Sequence, residues 1–512
     1  MDALSKWNQR IWHYAEPAWR EYKSAAWYVA RLREEGFEVE EASGGMPTAF
    51  CAVWKNGDGP VIGGYAEYDA VPGNCQKAAP YRAPRDGMSP YAAGHTDPHS
   101  ALGIASLGGV LAAKHAMEKH KIPGTLKFFG EPAEKVRGSK PIHAAKGYYD
   151  GVDAFISFHP TWMYPHVNTT VWETHCGVGF AKVYTFVCQE PQSWTEAAAD
   201  TIIPVSHASA RAPGANDALM LMYQLSRSMQ SNMLAFNTSW SISEAILIAG
   251  QATADNLPHH ISQIQYLWRT PSVEEAERIG RILDHNADHV AAITHTEVKK
   301  KWVARSRPGL ANHVMAEVTF ANLKEVGPPK WGDKAHEIAR EIQKNLGFEP
   351  MARPFVSVIE ELIEPQEAER ILRQGLPAFQ KNYTSDDYTE YTWHAPTARL
   401  VVARPILSAP KGKVVPDWAA NALGGISECI DPMIEVAAQV IGSTYIDLLT
   451  RPEVLKKAWQ EFEQRTGGGI GGTQWIAPLL PRDFQPPIHF RWPEYVTTVR
   501  GEEWCIPTDG HV

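Results

Sequence analysis

In the first third of the chain, short apolar runs alternate with amphipathic stretches, and each run closes on polar residues. Leu4, Trp7, Ile11, Trp12 and Ala15 recur at helical spacing. They predict a helix over 3–36 that is broken near Glu16-Pro17 and ended by Gly36. Phe37 to Glu40 alternates as a strand, and Thr48 to Trp54 is a second, turned at Asn56-Gly57-Asp58-Gly59. Pro60 to Tyr65 is a short apolar strand delivering Glu67 and Asp69. A helix over 101–120 follows, then Gly124 to Phe129, which delivers Glu131, Glu134 and Lys135, and Ala154 to Phe158, which delivers His159. Strands alternating with helices predict an α/β fold of three α/β/α layers. Polar residues gathered at the carboxyl ends of three strands mark the place where such sheets bind ligands.

The pattern changes after Tyr164. Strands are predicted at 173–188, 241–249, 259–268 and 296–304, and helices at 214–230 and 273–291, a compact α+β block set into the first domain. Mixed α/β patterning resumes near 305, with helices at 333–346 and 423–448. The expected organisation is therefore one α/β domain from 1–172 and 305–450, an inserted domain at 173–304, and an irregular extension at 451–512. The extension is read from Gly467-Gly468-Gly469, Gly471-Gly472 and Pro486-Pro487.

The composition is that of an ordinary globular protein: 512 residues, 44% hydrophobic, 21% charged, net charge −9. No apolar run reaches about eighteen residues, so no membrane span is expected. The N-terminus has no basic region followed by an apolar core, so no signal peptide is expected. Mild acidity argues against nucleic acid as a partner. None of the six cysteines forms a CxxC pair, which fits reduced thiols and a cytoplasmic setting. The 18 Trp and 18 Tyr are compatible with a small-molecule substrate that is aromatic.

The densest chemistry lies in Ala93-Gly94-His95-Thr96-Asp97-Pro98-His99. Two imidazoles and a carboxylate within five residues suit Mn, Zn or Fe. The alternative is a polar turn that caps the next helix.

Several ordered motifs together resemble the M20 metallopeptidase/amidohydrolase family, in its aminoacylase-like branch, through most of residues 4–450. They are Gly45-Met46-Pro47-Thr48-Ala49-Phe50, Ala66-Glu67-Tyr68-Asp69-Ala70-Val71-Pro72-Gly73, the 94–103 segment, Pro132-Ala133-Glu134, Phe158-His159-Pro160, Val205-Ser206-His207-Ala208, and Asp255-Asn256-Leu257-Pro258 with Arg269. The resemblance implies a catalytic α/β domain with an inserted ferredoxin-like lid that dimerises, and hydrolysis of amide bonds by metal-activated water. Glu134 takes the position of the general base. His207 matches a lid histidine that reaches the partner's site, and Asn256 and Arg269 match residues that hold substrate. Asp69 matches a carboxylate that orients a metal-site histidine. Glu67 is either a further ligand or a strand-end charge, and His95 is expected to hydrogen-bond within its loop.

The departures from the family pattern are informative. Where the family has a cysteine, this chain has Asp97, and the family's second metal glutamate is Lys135, whose ammonium has no lone pair to offer a metal. The last family histidine is missing from Val415-Pro416-Asp417-Trp418, which leaves Asp417 as the nearest substitute. One ligand set, Asp97, His99 and His159, remains complete. The expectation is one divalent ion (Mn, Zn or Fe), with Lys135 either acting as an internal cation beside it or pointing outward. The leading reading is a homodimeric or larger amidohydrolase acting on an N-acyl or aryl amide. The alternatives are hydrolytic deamination of an activated aromatic ring and a non-catalytic binding component with a degenerate site.

Overall fold

In a computed structural model of the chain, the described residues are 1–161, 163–189, 214–234, 238–250, 259–490, 495–498 and 501–504. The strands of the two larger sheets, in chain order, are β1 (Glu38–Glu41), β2 (Phe50–Asn56), β3 (Val61–Ala66), β4 (Gly124–Gly130), β5 (Ala154–Thr161), β6 (Thr169–Thr170), β7 (Val178–Cys188), β8 (Ser241–Ala249), β9 (Ile261–Thr270), β10 (Thr296–Ser306) and β11 (Thr397–Ala403). A seven-stranded sheet runs β1-β2-β4-β3-β5-β11-β6. Its centre, β4-β3-β5-β11, is parallel, and its outer pairs are antiparallel. Parallel strands covered on both faces are largely apolar, and β11 is buried at every position.

The helices are α1 (Asp2–Tyr14), α2 (Tyr22–Glu34), α3 (His99–His120), α4 (Lys140–Ala145), α5 (Ala215–Asn232), α6 (Val273–Ile293), α7 (His313–Val326), α8 (Asp333–Asn345), α9 (Pro365–Gly375), α10 (Asp417–Gly425), α11 (Ser427–Thr450) and α12 (Pro452–Thr466). α3 is buried along most of its length and packs on α11. The close approach depends on Gly109, where a Cβ would lie 2.5 Å from Ile441 Cγ2. α3 begins at His99, two residues earlier than expected, so the histidine sits on a helix and not on a free loop.

The four remaining strands form a separate antiparallel sheet ordered β10-β7-β9-β8. With α5 after β7 and α6 after β9, this is the βαββαβ order of a ferredoxin-like unit. Alternation along β7 sorts its two faces. Phe180, Tyr184 and Phe186 pack with α5 and α6. Ala181 and Val183 face Trp19, Met46 and Ala133 of the larger unit.

Two expectations are corrected. The helix expected at 423–448 is two helices, separated at Ile426 where the backbone is extended. The segment from 451 is not irregular throughout: α12 has fifteen residues, buries Val454, Leu455, Ala458 and Phe462, and ends at Gly467 in the left-handed conformation. That apolar stripe has helical spacing, but the glycine run beyond it dominates the local composition. Past α12 the chain crosses both units. Leu480 and Phe490 join the core between them, and Arg305 and Arg307 donate to the carbonyls of Leu479 and Ile476.

Arg307 follows β10 and is fully buried. It meets Glu390 through its backbone N at 2.7 Å, Nε at 2.9 Å and NH2 at 2.6 Å. Removing one partner leaves an uncompensated buried charge. R307M should therefore cost roughly 3–5 kcal/mol, read as a lowered urea midpoint. R307M/E390L should cost less than the single variant.

Candidate metal centre

Three strand ends and one helix start converge here. The chain leaves β3 at Ala66 and places Glu67 and Asp69 fully buried. His99 opens α3, and its Nδ1 lies 2.6 Å from Asp69 Oδ1. The other Asp69 oxygen accepts the Lys135 backbone N–H at 2.8 Å. A carboxylate on Nδ1 fixes a proton there and turns Nε2 toward the centre. His159 in β5 is oriented in the same way, with Nδ1 2.6 Å from the Pro160 carbonyl oxygen. Glu67 Oε2 lies 3.2 Å from His99 Nε2 and has no hydrogen-bond partner. Glu67, His99 and His159 each bring one ligand atom within 4.8 Å of the others. An unpartnered buried carboxylate oxygen beside two imidazole nitrogens fits a divalent cation.

This geometry revises the ligand set drawn from the sequence. The Lys135 ammonium turns inward, 2.6 Å from Asp97 Oδ2, 3.1 Å from His99 Nε2 and 3.2 Å from Glu134 Oε2. Asp97 is thus engaged by Lys135, while its Oδ1 stays 3.8 Å from His159 Nε2. The group whose atoms come together is Glu67, His99 and His159, with Asp97 Oδ2 3.5 Å from His99 Nε2. Glu134 is nearly buried, and its Oε1 is paired with Arg137. His95 is buried and meets the Ile11 carbonyl of α1 at 3.3 Å, not a loop partner; burial, with help from His99, pushes its pKa down to about 3. Asp417 is exposed in the first turn of α10, away from the triad. A carboxylate there complements the helix N-terminus. Glu131, at the end of β4, is held by His143 at 3.0 Å and Tyr149 at 2.7 Å. His207 and Asn256 lie outside the described residues.

The electrostatics follow from burial against pairing. Burial and the Lys135 charge push His99 down, but Glu67 and Asp69 outweigh them and hold it up at about 9. Burial lowers His159. Burial pushes Asp97 up, yet Lys135 and His159 carry it well below the carboxylate range. Lys135 stays charged, because the Asp97 and Asp69 carboxylates overcome its desolvation.

A second layer lies beyond what sequence pattern reveals. Lys140 of α4 is fully buried, 2.7 Å from both Glu67 Oε1 and Asp387 Oδ1. Asp386 accepts from Arg399 of β11 at 2.5 Å. Arg399 also reaches Ser157 Oγ at 2.7 Å and Tyr65 Oη at 3.0 Å. Two signals hint at it: an arginine inside the apolar run Thr397–Ala403, and the adjacent carboxylates Asp386-Asp387. Beside the centre lies a cavity of about 280 Å3, whose lining includes Asp97, Glu134, His159, Arg269, Tyr383 and Tyr388. Arg269 makes no ion pair among the described residues, and burial, with the Arg137 charge, lowers its pKa to about 10.

The fold and the centre together define a hydrolase of the metal-dependent peptidase type. The model of peptidase family M20/M25/M40 matches residues 64–362, more than half of the chain, and the chain belongs to that family. It is 23% identical to one of the subunits of p-aminobenzoyl-glutamate hydrolase from Escherichia coli (strain K12), over 89% of this chain and 91% of the relative. It is 29% identical to thermostable carboxypeptidase 1 of Saccharolobus solfataricus, over 32% of this chain and 40% of that protein. Among solved structures, the aminobenzoyl-glutamate utilization protein from Klebsiella pneumoniae aligns at 12% identity with a TM-score of 0.49, covering 88% of this chain and 96% of the other. No helix among the described residues is long and apolar enough to cross a membrane.

Asp386 supplies a pH test. Burial raises its pKa, but Arg399 and Lys140 outweigh this and hold it well below its ordinary value of 3.8. A depressed folded-state pKa stabilises above the unfolded value and loses that contribution as pH falls. The stability gap between wild type and D386N should be full at pH 7 and shrink as pH drops below about 3.8. Guanidinium unfolding at a series of pH values measures it.

Proposed function

We propose that the chain is an amidohydrolase that works with one divalent cation, held by Glu67, His99 and His159 with Asp97 beside them. The observation that carries this reading is the Lys135 ammonium, within 3.2 Å of Asp97, His99 and Glu134. It puts a fixed positive charge where a further cation would be bound, and it cannot itself ligate a metal. A divalent cation held by Glu67, His99 and His159 would supply Lewis acidity toward water and a substrate carbonyl.

The protein's own groups supply the rest. Arg137 anchors Glu134 by Oε1, and Oε2, with the Lys135 ammonium 3.2 Å away, takes a proton from water and returns it to the departing nitrogen. Lys135, steadied by Asp97, stabilises negative charge developing on the carbonyl oxygen. Asp69 holds the His99 ring in place through Nδ1. Arg269 offers a guanidinium for bidentate pairing with a substrate carboxylate. Tyr383 and Tyr388 line the same cavity, whose volume of about 280 Å3 is at the small end for ligand pockets and suits a substrate of one ring. An amide between an aromatic acyl group and a carboxylate-bearing amine meets these features, in keeping with the name of the E. coli relative. A homodimer belongs to the same reading.

E134Q should lower kcat by about 10²- to 10⁴-fold while metal content is unchanged; undiminished turnover would sink the assignment of the base. Elemental analysis should find about one divalent ion per wild-type chain, rising in K135E as a carboxylate replaces the ammonium. Two equivalents bound to wild type would overturn the mononuclear reading.

A further inference from the structure

Glu67 belongs to two groups of residues able to hold a cation. One is Glu67, His99 and His159, and the other is Glu67, Asp386 and Asp387, which is buried throughout. The second group already contains a cation. Lys140 Nζ lies 2.7 Å from Glu67 Oε1 and 2.7 Å from Asp387 Oδ1, with all three side chains fully buried. The ammonium also sits 5.2 Å from the centroid of the Tyr65 ring. Tyr65 is itself fixed through its hydroxyl to Ser157 Oγ at 3.1 Å and to the Phe158 carbonyl at 3.0 Å. Arg399 neutralises Asp386, so Lys140 is shared between the other two carboxylates.

We propose that Lys140 is the positioning residue of the metal centre: its ammonium holds Glu67 by Oε1, so that Oε2 stays turned to His99. The inference rests on the metal-centre reading above. A carboxylate on a flexible side chain has two equivalent oxygens and free rotation, and a ligand so placed binds weakly. Here one oxygen is committed to a buried ammonium, and the other is the atom left without a partner, 3.2 Å from His99 Nε2. Asp387 fixes the ammonium from the opposite side. Without Lys140, Glu67 and Asp387 would oppose each other as like charges in a low-dielectric interior, where repulsion is strong. Glu67 would turn away from the triad, which removes a ligand.

A purely structural role predicts something different. If Lys140 only balances the charge of Asp387, removing both charges together restores everything. The test is Mn2+ titration by calorimetry on the full chain, with thermal melting as the folding control. K140M alone strands Asp387 and is expected to melt early. K140M/D387N removes both charges. It should recover most of that stability and still bind Mn2+ ten- to a hundredfold more weakly than wild type, the usual cost of losing a group that orients a ligand. D387N alone keeps the ammonium on Glu67 and should stay within about threefold of wild type. If K140M/D387N does not fold, K140Q/D387N asks the same question with a polar neutral side chain. Either double variant binding Mn2+ within about threefold of wild type would overturn the proposal, as would D387N binding as weakly as the double variant. The underlying centre is checked separately: wild type should bind Mn2+ and H99A should not. Failure there removes the metal centre itself and is distinguishable from a failure of Lys140 alone.

Discussion

Glu67, Asp69, Glu134, Asp386 and Asp387 are all buried around the carboxyl ends of the central strands, and like charges held out of water repel one another strongly. Most of the local architecture answers that constraint. Arg137 meets Glu134, Arg399 meets Asp386, Lys140 bridges Glu67 and Asp387, and His99 leans on Asp69. These partners come from a 3-10 turn, a strand, a short helix and the start of a long helix. The pairing therefore ties together segments far apart in sequence, and each segment's position is set partly by charge. One carboxylate oxygen is left over from this pairing: Glu67 Oε2 has no hydrogen-bond partner and faces His99 Nε2 at 3.2 Å.

The same logic explains how the two lysines differ. Lys135 reaches the centre from the chain just after β4 and is partly open to the cavity. Lys140 is sealed off from solvent. One lines the cavity, and the other can act only through its neighbours. Lysine carries charge without lone pairs, so each supplies the field of a cation without the coordination of one.

Much of the fold was legible in the sequence. The apolar runs of β3, β4 and β5 and the polar residues at their ends were readable because parallel strands are buried on both faces and stop abruptly. The inserted α+β block was readable from alternation and spacing, and its ferredoxin-like order followed from the family resemblance. His99, His159, Glu134 and Lys135 followed from motif positions. Lys140, Asp386-Asp387 and Arg399 did not, because their meaning lies in contacts across more than 200 residues of chain, such as Lys140 with Asp387. The approach of Glu67 to His99 and His159, with Asp97 turned to Lys135, was also out of reach. It depends on which carboxylate the Lys135 ammonium engages, a matter of ångströms and not of spacing. α12 was hidden by the glycines that follow it, although its apolar stripe was present.

The path of the chain beyond α12 has a mechanical consequence. Leu480 and Phe490 sit in the core shared by the two units, and the guanidiniums of Arg305 and Arg307 hold the backbone of Leu479 and Ile476. Any swing of the ferredoxin-like unit about its two connections to the larger sheet must shear this packing. Residues 476–490 thus oppose separation of the two walls of the cavity, because these contacts would have to break before the walls moved apart.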